Sequence, residues 1–108
     1  MIILKNIRVT QEDIGKDIED FFVSFEALIG PDDNAYVYEI YEFYAISLKR
    51  LIDTFPESGI MHNKGWFIMR YYDITEIEIE LKEIIEKSCK SGKDIYSEID
   101  CYLFRISE

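Results

Sequence analysis

The chain has few side chains of the kinds that enzymes use as nucleophiles, bases or metal ligands. His62 is the single histidine, which excludes a multi-histidine metal centre, or a Ser-His-Asp site with a base to spare, within one chain. It lies in a polar segment beside Met61 and Asn63, where we expect a solvated loop histidine. Cys89 and Cys101 are expected to be two buried thiols in a reducing compartment, with no disulfide between them.

The common motifs for cofactor binding and catalysis are absent. No GxGxxG, GxxxxGK[ST], HExxH, GxSxG or CxxC string occurs, so the sequence predicts no cofactor, no metal and no catalytic residue. The 22 carboxylates leave a glycosidase-like acid pair open as an alternative, but no spacing singles out two of them. We therefore expect a protein that binds a macromolecule and is not an enzyme.

Acidic side chains form three groups that could bind a basic partner. The groups are Asp32 with Asp33 in a turn, Glu39 with Glu42 on a strand, and Glu76 with Glu80 and Glu83 along a helix. Turn chemistry explains the first group without a partner, and lysines explain part of the third. Glu76 and Glu80 have no lysine four residues further on, so they are the helix residues expected to make contact.

Tyrosine is unusually frequent, with 8 residues against 7 phenylalanines. Four of them lie in or near one predicted strand: Tyr36, Tyr38, Tyr41 and Tyr44. They put aromatic rings on both faces of that strand, one to pack on helices and one available for contact. The alternative is that both faces of the sheet are covered and only the tyrosine hydroxyl groups reach solvent. We predict that Tyr36, Tyr38 and Tyr41 contact the partner together with the acidic groups.

The formal net charge of −10 argues against DNA, RNA or an anionic membrane as a partner and favours a basic protein. Solubility alone is the alternative explanation for such a charge. The start MIILKNIRV has neither a basic leader nor a cleavage site, and no segment is long enough to cross a bilayer. These features predict a cytoplasmic protein.

The chain of 108 residues predicts one domain over residues 1–108. The expected strands are Ile2 to Val9, Phe21 to Ile29, Tyr36 to Tyr44, Gly65 to Tyr71 and Cys101 to Ile106. Thr10 to Asp20 is polar and is expected to be a loop. Gly30 to Asn34 has turn residues throughout, so the second and third strands are expected to form a hairpin.

Two main helices follow from apolar spacing and capping. Ser47 can cap a helix with the stripe Leu48, Leu51, Ile52 and Phe55, and Pro56 ends it. The second helix has an Asp73/Glu76 capping box and is expected to bury Ile77, Leu81, Ile84, Ile85 and Cys89. A short helical turn is expected within residues 94–100. This order predicts an α+β fold, a mostly antiparallel sheet of about five strands with two main helices packed on one face.

Several segments resemble the Immunity protein 8 family of bacterial polymorphic-toxin systems. They are the aromatic strand ending in Ile29-Gly30-Pro31, the strand that runs directly into SLKRLI, and the helix closing with EKSCKSGKDIY. The resemblance covers most of the chain after Asp20, although Tyr44-Ala45-Ile46 stands where the family often has Cys-Thr-Pro. It implies a small cytoplasmic α+β protein that binds and neutralises a cognate toxin.

A toxin that acts on nucleic acid is usually basic, so an acidic inhibitor would be steered onto it. The expected partner is therefore a cognate toxin protein, with a basic nuclease as one such toxin. The alternative is a regulatory or oligomeric protein-binding module, unrelated to toxins, that pairs through an edge strand.

Overall fold

Eight elements of secondary structure lie in residues 1–106, the part of the chain that the computed structural model describes. In chain order they are β1 (Ile2–Ile14), β2 (Phe21–Pro31), β3 (Glu39–Ser47), α1 (Leu48–Thr54), β4 (Trp66–Met69), α2 (Ile74–Lys90), α3 (Ile95–Ile99) and β5 (Phe104–Ile106).

The strands form one open sheet with β3 at its centre. The order is β1-β2-β3-β4, and β5 pairs with the first part of β3. β2 and β5 pair with β3 in the antiparallel sense, whereas β4 runs parallel to it. The predicted α+β class and the mostly antiparallel five-stranded sheet are confirmed. The single parallel pair arises because α1 and the loop after it carry the chain back before β4 begins.

The core lies between the sheet and α2. Strict alternation in β2 sends every second side chain to this face, where all five are fully buried: Phe21, Val23, Phe25, Ala27 and Ile29. The helix covers them with its stripe Ile77, Leu81, Ile84 and Ile85. Each fully buried side chain of this size contributes roughly 1.5–3 kcal/mol. The alternation in β2 and the stripe of α2 are therefore the two patterns that fix the core.

The predicted N-cap residues Ser47 and Asp73 are correct, but Asp73 accepts from Thr75 N and not from Glu76 N, so the predicted Asp73/Glu76 capping box is not found. Two positions also differ in burial from the prediction. Ser47 Oγ accepts from Arg50 N at 3.0 Å, and Asp73 caps α2 by accepting from Thr75 N at 2.9 Å. Cys89 was expected in the core and is exposed, as is Cys101, whereas Ser88 is buried. The reason is the helical period: Ser88 continues the line of Ile84, and Cys89 is rotated about 100° away.

The first helix buries its apolar stripe only in part: Leu48 and Leu51 are half-buried. Ile52 is 66 % exposed and Phe55 is 45 % exposed, and no residue of α1 is fully buried. The core face is already covered by α2 and α3, so this seven-residue helix lies at the end of the sheet. No helix within residues 1–106 is both long enough and apolar enough to span a bilayer.

Several strand boundaries differ from the sequence prediction. β4 covers only Trp66–Met69 of the predicted 65–71, and β5 begins at Phe104, three residues later than predicted. β1 continues to Ile14, because its polar second half pairs with the start of β2, Ile14 opposite Phe21. β3 begins only at Glu39, so the strand predicted to start at Tyr36 starts three residues later. The connection from β2 passes close to Gly30, where an added Cβ would lie 2.3 Å from the backbone oxygen of Val37. The hairpin therefore has a longer connection than the turn residues alone predicted.

Candidate protein-binding surface

The sheet face opposite α2 has apolar and acidic side chains that are partly accessible to solvent. We call it the open face. Alternation places its accessible residues next to one another across four strands: Phe22, Ser24, Glu26 and Leu28 of β2, Glu42 and Tyr44 of β3, Trp66 and Ile68 of β4, and Phe104 of β5. Ile68 is 55 % exposed and Phe104 is 43 % exposed, while the others are half-buried.

Three aromatic rings form the centre of the open face. The ring of Phe22 stacks on that of Tyr44 with centroids 5.7 Å apart and meets the ring of Trp66 edge-on at 5.6 Å. The strand register brings them together, because Trp66 of β4 lies beside Tyr44 of β3. Such aromatic pairs add roughly 0.5–1.5 kcal/mol beyond the area they bury. Because the three rings pack against one another, each has fewer conformations to lose if a partner contacts it.

Two carboxylates face each other on the open face. Glu26 and Glu42 are direct partners in the β2–β3 register, where like charges are destabilising. Arg8 of β1 bonds Glu26 at 2.9 Å, but none of the ion pairs within residues 1–106 includes Glu42. Two negative charges are thus held together with one positive charge, and a cationic group of a partner would relieve the repulsion.

The carboxylate of Glu42 accepts a hydrogen bond from the hydroxyl of Tyr44. This hydroxyl donates to Glu42 Oε1, two residues back on the same strand and face. This bond, together with burial and the nearby carboxylate charge, raises the pKa of Tyr44 to about 12. Tyr44 therefore stays a neutral donor at physiological pH and orients the Glu42 carboxylate.

The acidic turn and its two tyrosines lie away from the open-face glutamates, in the connection between β2 and β3. Asp32 lies 3.3 Å from the N-terminal amine of Met1, and Asp33 is exposed. Tyr36 is 93 % exposed, and Tyr38 is 40 % exposed. None of the four lies on a strand, so the prediction that Tyr36 and Tyr38 belong to β3 is wrong. Their exposure leaves them accessible to a partner.

Tyr41 cannot contact a partner, because it is fully buried in the core. Its hydroxyl donates to the backbone oxygen of Tyr96 at 3.1 Å, and burial raises its pKa. Glu39 lies on the same side of β3 as Tyr41, so it does not share a face with Glu42. The pairing of Glu39 with Glu42 that the sequence suggested is therefore not found.

Glu76 and Glu80 lie on the flank of α2 that faces β4. They line a groove of about 450 Å³ together with Ile77 and the four residues of β4, Trp66–Met69. Trp66 belongs to both surfaces, because it also contacts Phe22 on the open face. The helix glutamates and the open face are thus neighbours across the edge of the sheet.

Sequence reasoning missed Phe22, Glu26, Trp66 and Ile68 as site residues. The alternation of β2 already placed Phe22 and Glu26 on the face away from the core. No local pattern indicated that Trp66 would lie beside Tyr44, because that contact depends on the pairing of β3 with β4.

Within residues 1–106, no three histidine, cysteine or acidic side chains come together as a possible metal site. The chain matches no protein-family model, no curated protein and no solved structure.

Proposed function

We propose that this chain is an immunity protein that binds a cognate bacterial toxin domain and neutralises it. The observation that carries the proposal is the Glu26–Glu42 pair beside the aromatic cluster of the open face. A fixed pair of like charges beside partly exposed rings costs stability without contributing to the core. Such a cost is expected where the residues serve binding.

The composition of the open face fits a basic protein surface. Aromatic side chains supply most of the binding energy in many interfaces, and complementary charges increase the association rate. The net charge of −10 acts in the same direction over longer distances. A toxin that acts on nucleic acid has a basic substrate groove, and an acidic protein that covers this groove would exclude the substrate. The resemblance to the Immunity protein 8 family supports a toxin as the partner.

Co-expression with the toxic domain encoded by the adjacent gene tests the proposal. We expect the chain to restore growth and Glu42→Gln to weaken the rescue, because the substitution removes a contact charge. The matched control is Glu78→Gln, which removes the same charge from an exposed ion pair on α2. Equal weakening by both variants would show that only net charge matters and would exclude the open face as the contact surface.

The salt dependence of binding tests the electrostatic part separately. The association rate of the purified pair should fall as ionic strength rises, because screening shortens the range of attraction to about 8 Å at physiological salt. An association rate that does not change with salt would contradict steering by charge, even if the toxin is neutralised.

A regulatory or oligomeric module is the second candidate, and one observation favours it. β1 is an edge strand of 13 residues, and Val9 on it is 47 % exposed. Pairing between two β1 edges would make a dimer. Light scattering over a range of concentrations, with Val9→Lys as the variant, decides this: a dimer that Val9→Lys dissociates supports self-association, and a monomer throughout contradicts it.

A further inference from the structure

The outer edge of β4 has backbone groups that no other strand pairs. Tyr44 N donates to Gly65 O at 2.8 Å, and Tyr44 is the register partner of Trp66. In a parallel ladder this pattern turns the N–H and C=O groups of Trp66 and Ile68 away from β3. Within residues 1–106 β4 pairs with β3 alone, so these four groups point into the groove beside α2.

Within residues 1–106, β1, β4 and β5 are the outer strands of the sheet, and they differ in how their free edges are protected. β5 has three residues, and one of them, Arg105, is charged. β1 has register shifts after Leu4 and after Val9, and such irregularities hinder the addition of a further strand. β4 is regular, and its four residues, Trp66–Met69, are all uncharged. The β4 edge is therefore better suited than the β1 edge to accept a further strand.

Glu76 and Glu80 determine the charge of the segment that fits this edge. Among the described residues, 1–106, the groove is lined by these two carboxylates and by no basic side chain. Lys64, at one end of β4, is engaged elsewhere: its ammonium donates to Asp100 O at 2.7 Å and lies over the ring of Phe104. A strand added beside β4 would place alternate side chains against α2, where they meet the glutamates.

The spacing of the two glutamates matches the repeat of a strand. Residues four apart on a helix are separated by about 6 Å along the axis. Residues two apart on a strand are separated by about 6.6 Å. Two basic residues at positions i and i+2 of an added strand would therefore face Glu76 and Glu80 together. The intervening residues would point to the open face beside Trp66 and Ile68, where apolar side chains fit.

From this geometry we infer that the β4 edge, with Glu76 and Glu80, binds an extended segment of a partner protein in which basic and apolar residues alternate. The inference rests on the proposed function in taking a basic protein as the partner. It adds the mode of binding: the partner segment becomes the next strand of the sheet, held by hydrogen bonds to Trp66 and Ile68 and by two ion pairs.

A synthetic peptide of alternating lysine and valine is the probe. Trp66 is the only tryptophan of the chain, so its fluorescence reports the occupancy of the edge. We expect saturable binding, with chemical-shift changes and slower exchange at the amides of Trp66 and Ile68. A peptide of alternating glutamate and valine should not bind. Absence of binding by the lysine peptide, or changes confined to other amides, would overturn the inference.

Two double variants test how much the charges of Glu76 and Glu80 contribute to binding. The double variant Glu76→Gln with Glu80→Gln should lower the affinity for the lysine peptide about fivefold, as expected for the loss of two partly exposed ion pairs. Glu78→Gln with Glu86→Gln makes the same change in net charge on the opposite flank of α2 and should change affinity less than twofold. Equal weakening by both pairs would reject the specific role of Glu76 and Glu80.

Ile68→Pro removes the outward N–H but no bond to β3, and proline is tolerated at edge positions. It also replaces the exposed Ile68 side chain, so Ile68→Ala, which keeps the N–H, is the control. Ile68→Pro should weaken binding at least about fivefold, which corresponds to one lost hydrogen bond. Unchanged affinity in a folded variant would contradict strand addition. If Ile68→Pro unfolds the protein, the glutamine variants and the exchange rate of the Trp66 amide decide whether the peptide binds at the β4 edge.

The peptide experiment is independent of the growth rescue. A peptide that does not bind, together with intact rescue, overturns the edge site and leaves the proposed function. A peptide that binds at Trp66, together with absent rescue, overturns the toxin as partner and leaves the edge site.

Discussion

Tyr44 donates a hydrogen bond from its hydroxyl to the carboxylate of Glu42, and the two side chains lie on the same face of β3. Both residues belong to β3 and lie two positions apart, so the bond requires only that this strand is extended. It fixes the one open-face carboxylate that has no ion-pair partner within residues 1–106. The bond therefore links the extended conformation of β3 to the orientation of the Glu42 carboxylate.

Tyr44→Phe should lower the free energy of unfolding by about 0.5–1.5 kcal/mol at neutral pH, the usual contribution of a hydrogen bond. Because the pKa of Tyr44 is raised in the fold to about 12, its contribution is complete below the unfolded value of 10.0 and is lost as pH rises through 12. Urea unfolding from neutral pH to about pH 12 should show that the free energy of unfolding falls less steeply at high pH for Tyr44→Phe than for the unsubstituted protein. Parallel curves for the two proteins would contradict the raised pKa.

Tyr41→Phe should destabilise the protein without weakening partner binding. The change removes the donor from Tyr41 to Tyr96 O, which keeps its bond from Asp100 N at 3.0 Å, so the expected cost is that of one ordinary hydrogen bond, about 0.5–1.5 kcal/mol. Equilibrium unfolding measures the first effect, and affinity for the partner, at a temperature where the variant is folded, measures the second. Weaker binding by fully folded Tyr41→Phe would contradict its purely structural role in the core.

Gly30→Ala should destabilise the β2–β3 connection. The new Cβ would lie 2.3 Å from Val37 O and 2.9 Å from Tyr38 Cα, and both are backbone atoms. A forced shift of this kind typically costs about 1–3 kcal/mol. Gly92→Asn is the control: Gly92 has a φ of +75° with open space around it, and asparagine tolerates that conformation. Thermal unfolding should show a loss for Gly30→Ala and a change within about 0.5 kcal/mol for the control.

Both cysteines should react with a thiol reagent in the native protein. Cys89 and Cys101 are exposed, so modification requires no unfolding. We expect two thiols to be titrated under native conditions. The same count in denaturant is the reference, and a native count of zero would indicate that the thiols are buried after all.

Much of the fold could be predicted from local patterns. The alternation of β2 and the spacing of Ile77, Leu81, Ile84 and Ile85 in α2 identified the core, because burial follows the periods of strand and helix. Cys89 was misplaced because it lies next to the apolar stripe, where one residue decides between core and surface. β1 was predicted too short because its polar half is held by pairing with β2, which local composition does not encode.

By itself the sequence determined the charge, the absence of the common catalytic motifs, the helix caps and the core faces of β2 and α2, since each depends on residue types or on short-range spacing. Only the tertiary structure decided which acidic and aromatic residues share a surface. Glu26 lies opposite Glu42, Trp66 lies beside Tyr44, and Tyr41 is buried with Glu39 on its side of the strand. These relationships depend on the register between strands that are distant along the chain, and burial across the whole sheet sets that register.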